Sequence, residues 1–294
     1  MSRPVALVSA RAARGLDEDE QPLAAALRSL GAAVQVVDWD DPEVDWSLFA
    51  LAVLRSTWDY ALRIEDFLGW AQRTSAATRL VNPLSVVRWN TDKHYLRELS
   101  QAGVPTVPSR FVEPGESAAD AVQQFLAEHA CTEVVVKPAV GAGSRDVQRH
   151  ARDPIAPILA HVQRLLVARR SVLLQPYLAR VDAEGETALI YLDGGFSHAV
   201  RKGPLLRRGA PSAAGLFAPE QISPRVAGAD ETAVAGRALA ALPFPPPLYV
   251  RIDLLKGEDG EPRLLELELT EPSLFLAHAP GAAARLAACL LERA

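Results

Sequence analysis

The way in which strand-like and helix-like segments alternate changes along the chain, and this change most restricts the fold. In the first 80 residues, the apolar runs 4–9 and 34–38 flank an amphipathic helical pattern. Strand–helix–strand units of this kind form parallel sheets with helices on their faces. Farther along, the runs 187–192 and 196–201 are separated only by Asp193-Gly194-Gly195, which favours an antiparallel hairpin. The sequence therefore predicts an α/β domain followed by α+β domains.

Composition excludes several classes of function. The chain is 49% hydrophobic and 23% charged, which is ordinary for a soluble globular enzyme. Its formal net charge is −5 without any basic block, so we expect no nucleic acid and no anionic membrane as partner. No run approaches the roughly 18 apolar residues that a membrane helix needs. We therefore expect a cytoplasmic protein that acts on a small molecule.

A lysine stands at the end of the predicted strand 133–137, directly before a glycine-rich loop. Gly141 and Gly143 let backbone N–H groups approach an anion, Lys137 supplies positive charge, and Ser144 adds a hydroxyl donor. This arrangement suits a polyphosphate. It is not a Walker A motif, because the lysine precedes the glycines. A tight strand-to-helix turn with a solvated lysine explains the same residues equally well.

A second constellation is acidic and lies on the predicted hairpin 249–255/263–269. Glu266 and Glu268 share one face of their strand, and cross-strand pairing can bring Asp253 beside them. Clustered carboxylates suit Mg²⁺ that bridges phosphate oxygens. A solvated strand face is the alternative interpretation, and a commoner one.

Two cations accompany the carboxylates. Arg251 lies two residues before Asp253 on the same predicted face, and Lys202 ends the strand 196–201. Both can stabilise a transferred phosphoryl group. Surface charges are the alternative for both residues.

A polar cluster, 55–60, follows the third apolar run of the N-terminal region, 51–54. In open α/β sheets, ligands bind at the carboxyl ends of strands, so Arg55, Trp58 and Asp59 are candidate substrate contacts. Alternatively, Asp59 caps the next helix and Trp58 is a core residue. Since 9–15 lacks the GxGxxG pattern, a Rossmann-like oxidoreductase with a nicotinamide cofactor is disfavoured.

In their order along the chain, these motifs resemble the ATP-grasp superfamily. The resemblance assigns phosphate contacts, the glycine loop, the hinge that reads adenine, the sugar contact and the metal ligands. The phosphate contacts are Lys93, Lys137 and Lys202, and the glycine loop contributes Gly141, Gly143 and Ser144. The hinge is Gln175, Pro176, Tyr177 and Leu178, and the sugar contact is Glu186. The metal ligands are Asp253, Glu266 and Glu268. The usual final metal motif is Glu-x-Asn, so Glu268 departs from the pattern.

The resemblance implies an N-terminal pre-ATP-grasp α/β domain, 1–88, and two α+β subdomains, 89–178 and 179–294, that clamp ATP. It implies ATP and Mg²⁺ as cofactors and a ligase that activates a carboxylate as an acyl phosphate for attack by nitrogen, with ADP and phosphate released. Arg251 and Lys202 are the implied catalytic residues. A regulatory or degenerate ATP-binding protein without ligase activity is the alternative, and Glu268 is the feature that favours it.

The segments 55–60, 196–202 and 268–273 resemble one branch of the superfamily. It includes the cyclo-ligase of cycloserine biosynthesis, which closes O-ureidoserine into a ring, so a small amino-acid-like substrate is implied. The candidate substrate contacts are Arg55, Trp58, Asp59, Arg145, His198, Glu271 and Ser273. A structural, hydrogen-bonded role is the commoner fate of a lone strand histidine such as His198. The apolar pattern 282–291 predicts a core helix or the face of a homodimer, with the core favoured.

Overall fold

Three β-sheets with flanking helices make up the part of the chain that the structure describes. The structure is a computed structural model that describes residues 3–208, 215–216 and 220–294. Each sheet comes from a successive stretch of the sequence.

The N-terminal sheet is parallel, with the order β2-β1-β3-β4. All five residues of β1 are buried, as expected for a strand covered on both faces. Trp39, Phe67 and Trp70 cover one face of this sheet. Its strands and helices are β1 Val5–Ser9, α1 Glu20–Ser29, β2 Val34–Asp38, β3 Leu51–Ser56, α2 Ile64–Ala77 and β4 Arg79–Val81.

The central sheet is antiparallel, with the order β5-β8-β6-β7. Two short helices, α3 Leu84–Asn90 and α4 Tyr95–Gln101, precede it. Phe125 of α5 and Val162 of α6 are fully buried against one face of the sheet. Its strands and helices are β5 Arg110–Val112, α5 Ala118–Glu128, β6 Glu133–Pro138, β7 Gln148–Ala151, α6 Ala156–Val167 and β8 Val172–Pro176.

The C-terminal sheet is also antiparallel, with the order β11-β10-β9-β12-β13. Buried residues of this sheet and of the N-terminal sheet share one core with α1 and α9. The elements are α7 Val181–Glu184, β9 Glu186–Leu192, β10 Gly195–Lys202, β11 Ile222–Arg225, α8 Ala229–Ala240, β12 Tyr249–Lys256, β13 Pro262–Glu268 and α9 Ala282–Leu291.

The predicted change from parallel to antiparallel pairing is confirmed, as are both hairpins. Five short elements were missed: α3, β4, β7, α7 and β11; so was the longer helix α8. The apolar face of α9 is buried, so the predicted core role is confirmed for that face. The homodimer and the domain boundaries at 88 and 178 stay predictions. Among the described helices, none has the length and hydropathy that a membrane span requires.

Candidate active site

A cavity of about 350 Å³ lies where the three sheets meet. Most of the predicted site residues line it, although they come from positions as far apart as 58 and 273. These are Trp58, Lys93, Lys137, Gly141, Gly143, Ser144, Gln175, Pro176, Tyr177, Leu178, Glu186, Lys202, Arg251, Asp253, Glu266, Glu268, Glu271 and Ser273. The fold therefore brings together the motifs that the sequence keeps apart.

The glycine loop connects β6 to β7, so it is a strand-to-strand loop and not the strand-to-helix turn of the alternative interpretation. Gly143 and Ser144 both have left-handed backbone conformations, with φ of 63° and 62°. A left-handed serine is uncommon, and such residues cluster at ligand sites. The loop is fixed at its start because the Lys93 ammonium donates to the Gly141 carbonyl at 2.9 Å.

Lys137 is the buried cation of this site that has no partner. It is only 5% exposed, and within the described residues its ammonium forms no ion pair or hydrogen bond. Burial lowers its pKa to about 8. By contrast, Lys93 forms an ion pair with Glu266 at 2.9 Å. Lys137 thus presents positive charge to the cavity beside the glycine loop.

The hinge residues lie at the apolar end of the cavity. Leu178 packs there with Val107, Val181 and Leu255. The guanidinium carbon of Arg149 lies 3.5 Å from the centre of the Tyr177 ring. An apolar chamber of this kind suits a flat heteroaromatic ring.

Asp253 is the centre of an ion-pair network on the C-terminal sheet. The register pairs Asp253 with Glu266 and Arg251 with Glu268, so all four side chains share one face as predicted. Arg251 donates to both Asp253 oxygens, at 2.9 Å each, and also contacts Glu268. Lys202 lies 3.0 Å from the same Asp253. Although burial opposes it, these cations lower the pKa of Asp253.

Each predicted metal ligand is thus already paired with a cation of the chain. Within the described residues, no three acidic, histidine or cysteine side chains form a ready metal-binding group. Asp253 and Glu268 face Arg251, and Glu266 faces Lys93. Their use as metal ligands requires these pairs to rearrange and stays a prediction.

The other end of the cavity is formed by the N-terminal domain and the segment after β13. The Trp58 indole N–H donates to the Glu271 carbonyl at 3.2 Å. Arg251 donates to the Ser273 carbonyl at 3.0 Å. This end, which we call the acidic end, is lined by Asp17, Glu18, Asp19, Trp58, Tyr60, Glu271, Ser273, Phe275 and His278.

Comparison with known proteins identifies the family. Residues 5–82 match the family model described as D-cycloserine synthetase DcsG, N-terminal domain. Over 295 residues, 98% of each chain, the sequence is 43% identical to the cycloserine biosynthesis protein DcsG of Streptomyces lavendulae. The chain belongs to the DcsG family.

Solved structures agree with this assignment. The crystal structure of D-cycloserine synthetase DcsG matches at 42% identity and a TM-score of 0.91, covering 98% of this chain and 99% of that chain. The ATP-grasp ligase PsnB, complexed with minimal precursor, Mg and ADP, has the same fold at 19% identity and a TM-score of 0.64, covering 100% and 99% of the two chains. This DcsG-family member is thus an ATP-grasp ligase, and the resemblance drawn from its motifs is confirmed.

Four predicted substrate contacts do not line the cavity of this DcsG-family protein. Arg55 is 1% exposed and lies behind the acidic end, 3.3 Å from Asp19. Asp59 accepts from the Trp39 indole at 2.9 Å and contacts Arg63, and neither of these partners lines the cavity. These positions do not support direct substrate contact by either residue.

The other two are His198 and Arg145. His198 Nε2 donates to the Leu274 carbonyl at 2.9 Å, and burial lowers the pKa of this histidine. The structural role weighed for His198 therefore fits its position better than contact with substrate. Arg145 donates to the Gly215 carbonyl at 3.1 Å, across the mouth of the glycine loop.

The sequence analysis missed the acidic run 17–19, which follows β1 at the carboxyl edge of the N-terminal sheet. Asp19 accepts three backbone N–H bonds, from Leu274 at 2.5 Å, Phe275 at 3.0 Å and Leu276 at 2.7 Å. It therefore fixes the segment that closes the acidic end. The available signal was an acidic cluster at the carboxyl end of a parallel strand.

Proposed function

We propose that this DcsG-family ligase uses ATP and Mg²⁺ to phosphorylate a small amino-acid-like carboxylate. Attack by nitrogen on the acyl phosphate then forms a C–N bond, and ADP and phosphate are released. The observation that carries the proposal is Lys137, a buried and unpaired cation beside a glycine loop. An unpaired buried charge is costly, and phosphate oxygens would supply the missing partner.

The neighbouring residues support an orientation for the nucleotide. The apolar chamber around Leu178 accepts the adenine, and Glu186 at the start of β9 forms an ion pair with Lys202 at 2.6 Å. Lys93, Lys137 and Lys202 then face the phosphates. This places the γ-phosphate towards Arg251 and the acidic end.

The donor set fits magnesium. The cavity lining carries more carboxylates than Lys and Arg side chains, so it does not suit a polyphosphate unless further cations accompany it. Asp253, Glu266 and Glu268 would hold the metal through hard oxygen ligands. When bound there, Mg²⁺ supplies positive charge to the phosphate oxygens.

The residues of the chain have separable roles in the reaction. Lys202 and Arg251 neutralise charge on the phosphoryl group as it moves to the carboxylate oxygen. Arg251 also stabilises the oxyanion that forms when nitrogen attacks the acyl carbon. Because phosphate is a good leaving group, a nucleophile positioned in a closed chamber requires no covalent intermediate with the protein.

The relatives named for cycloserine biosynthesis support a ring-forming reaction. In O-ureidoserine, the attacking nitrogen and the carboxylate belong to one molecule, so closure yields a cycloserine-like ring. Trp58, Glu271 and Ser273 are the predicted substrate contacts that line the chamber. A small amino-acid-like compound fits this end because Trp58, Tyr60 and Phe275 narrow it.

The test is ADP and phosphate release from ATP and Mg²⁺ with a panel of amino acids, dipeptides and O-ureidoserine. Lys137→Ala is the loss-of-function variant. Lys256→Ala is the matched control, because Lys256 does not line the cavity. We expect substrate-dependent ADP release that only Lys137→Ala abolishes. Release of AMP and pyrophosphate would overturn the acyl-phosphate route.

A regulatory ATP-binding protein is the second candidate. The pairing of Glu268 with Arg251 favours it, since that contact occupies a predicted metal ligand. ATP binding without turnover across the whole panel would support this candidate.

A further inference from the structure

The acidic end contains a buried carboxylate without a partner. Glu271 is 8% exposed and lines the cavity. In the described part of the chain, its carboxylate forms no ion pair and accepts no hydrogen bond from another residue. The metal-site carboxylates differ, because each has its own Lys or Arg. The fold therefore buries Glu271 near Lys93 and Arg251 without a direct ion pair to either of them.

A buried carboxylate of this kind is stable as an anion only when a bound ligand supplies a positive charge or a hydrogen-bond donor. Burial, together with the nearby Glu268, raises the pKa of Glu271 to about 8. A cation bound beside Glu271 would reverse this effect. Trp58 fixes the backbone at this position by donating to the Glu271 carbonyl.

The surroundings of Glu271 also favour a cation. Asp17 lines the same end, and its Oδ2 lacks a hydrogen bond although Arg55 Nε is 3.6 Å away. Arg55 is close enough to both Asp17 and Glu271 for each to raise its pKa against burial. Glu18 adds a third carboxylate to the lining.

One cation faces this acidic end from the reaction centre. Arg251 lies with its guanidinium carbon 5.4 Å from the centre of the Phe275 ring and bonds the Ser273 carbonyl. Positive charge at Arg251 opposite negative charge at Glu271 and Asp17 complements a zwitterion. An α-amino acid has this charge pattern, with its carboxylate and ammonium a few bonds apart.

We propose that Glu271, assisted by Asp17, binds the free α-ammonium group of the substrate while Arg251 faces its carboxylate. This inference rests on the proposed function and adds the residues that recognise the free amino group of an amino-acid substrate. Glu271 is thus a specificity-determining residue. A carboxylic acid that lacks the ammonium leaves Glu271 unpaired and binds weakly.

The test compares two compounds that differ only in this group: O-ureidoserine and its analogue without the α-amino group. Their binding to the intact protein with ADP and Mg²⁺ is measured by calorimetry, and their turnover by ADP release. The variants are Glu271→Gln, which removes the charge, and Glu271→Asp, which keeps it. Glu43→Gln is the control, because Glu43 is exposed and far from the cavity lining.

The wild type and Glu43→Gln should prefer the amino compound by roughly 10- to 100-fold, the usual range for a hydrogen bond to a charged group. Glu271→Gln should lose most of this preference, while its dissociation constant and turnover rate for the deamino analogue should change by less than about threefold. Glu271→Asp should retain part of it. A general loss of structure would weaken the binding of both compounds, so it would not produce this difference between them.

The outcomes separate the two proposals. If Glu271→Gln keeps the full preference, or weakens both compounds equally, the ammonium site is overturned. Absence of any amino-group preference in wild-type calorimetry overturns it as well. If the preference is present in binding but no compound elicits ADP release, the proposed ligase reaction fails and the ammonium site stands.

Discussion

Asp19 offers the sharpest test of how the acidic end is held. Its buried carboxylate accepts the N–H groups of Leu274, Phe275 and Leu276 and lies 3.3 Å from Arg55. Phe275 has a left-handed φ of 51°, which costs roughly 1–3 kcal/mol and persists only if its surroundings impose it. Asp19 is the group that imposes it. Asp19→Asn replaces one carboxylate oxygen by NH₂, which is a hydrogen-bond donor and cannot accept from the backbone N–H groups.

The magnitude follows from the hydrogen bonds that this substitution removes. Hydrogen bonds to a charged group contribute about 1.5–3 kcal/mol each, and two of the three share the oxygen Oδ2. We therefore expect Asp19→Asn to lower the free energy of unfolding by about 3–5 kcal/mol. For a protein of this size, the melting temperature should fall by roughly 6–12 °C.

The assay combines thermal unfolding with steady-state kinetics. Asp153→Asn is the matched control, since Asp153 is exposed and should change stability by less than about 0.5 kcal/mol. Below its melting temperature, Asp19→Asn should raise KM for the carboxylate and leave the Kd of ADP within about twofold. An unchanged melting temperature and KM would refute the view that Asp19 anchors the segment.

Three further predictions concern charge and linkage. Because burial lowers the pKa of Lys137 to about 8, the folded protein loses this proton between pH 8 and 10.5 while the unfolded chain keeps it, so the stability of the wild type should rise with pH in that window. The Lys137→Met variant should show no such rise, should be more stable than wild type at pH 7, and should bind ADP more weakly in calorimetry. Hydrogen bonds from Arg149 and Arg208 lower the pKa of Glu133 to about 2, so its stabilisation is complete above pH 4.5 and lost towards pH 2; the melting temperature of Glu133→Gln should therefore fall below wild type at pH 6 and converge with it at pH 2. The Asn82 side chain makes three buried hydrogen bonds to the C-terminal sheet, so Asn82→Ala should cost about 3 kcal/mol in chemical denaturation, whereas a cost under 1 kcal/mol would contradict this role.

Local periodicity explains what could be predicted. Leu267 of β13 and Leu269 just after it are buried while Glu266 and Glu268 face the cavity, because successive strand residues point to opposite sides. The hairpin that opposes Asp253 to Glu266 follows from two apolar runs and a short turn. The glycine loop was recognised because a lysine at the end of a strand directly precedes its glycines, although an ordinary turn explained the same residues equally well.

Long-range partners could not be predicted in the same way. Asp19 and Leu274 are 255 positions apart, and no local pattern records their contact. Helix α8 was missed because two of its four buried residues are alanine and a third is Glu231, which gives a weak periodic signal. Arg55 was assigned to substrate on the basis of its place after a strand, yet β3 continues to Ser56 and buries it. A polar residue at a strand end thus marks the neighbourhood of a site more reliably than a contact within it.

The distribution of charge partners separates the ligand-binding positions from the supporting ones. Among the buried charged side chains that line the cavity in the described ranges, Lys137 and Glu271 are the two without an ion pair. Between them lies a network in which Arg251, Asp253 and Lys202 neutralise one another. A fold that leaves one buried cation and one buried anion unpaired loses stability at both unless a ligand completes them. A phosphate at Lys137 and an ammonium at Glu271 would do so together, and the carboxylate to be activated would then lie between them, at Arg251.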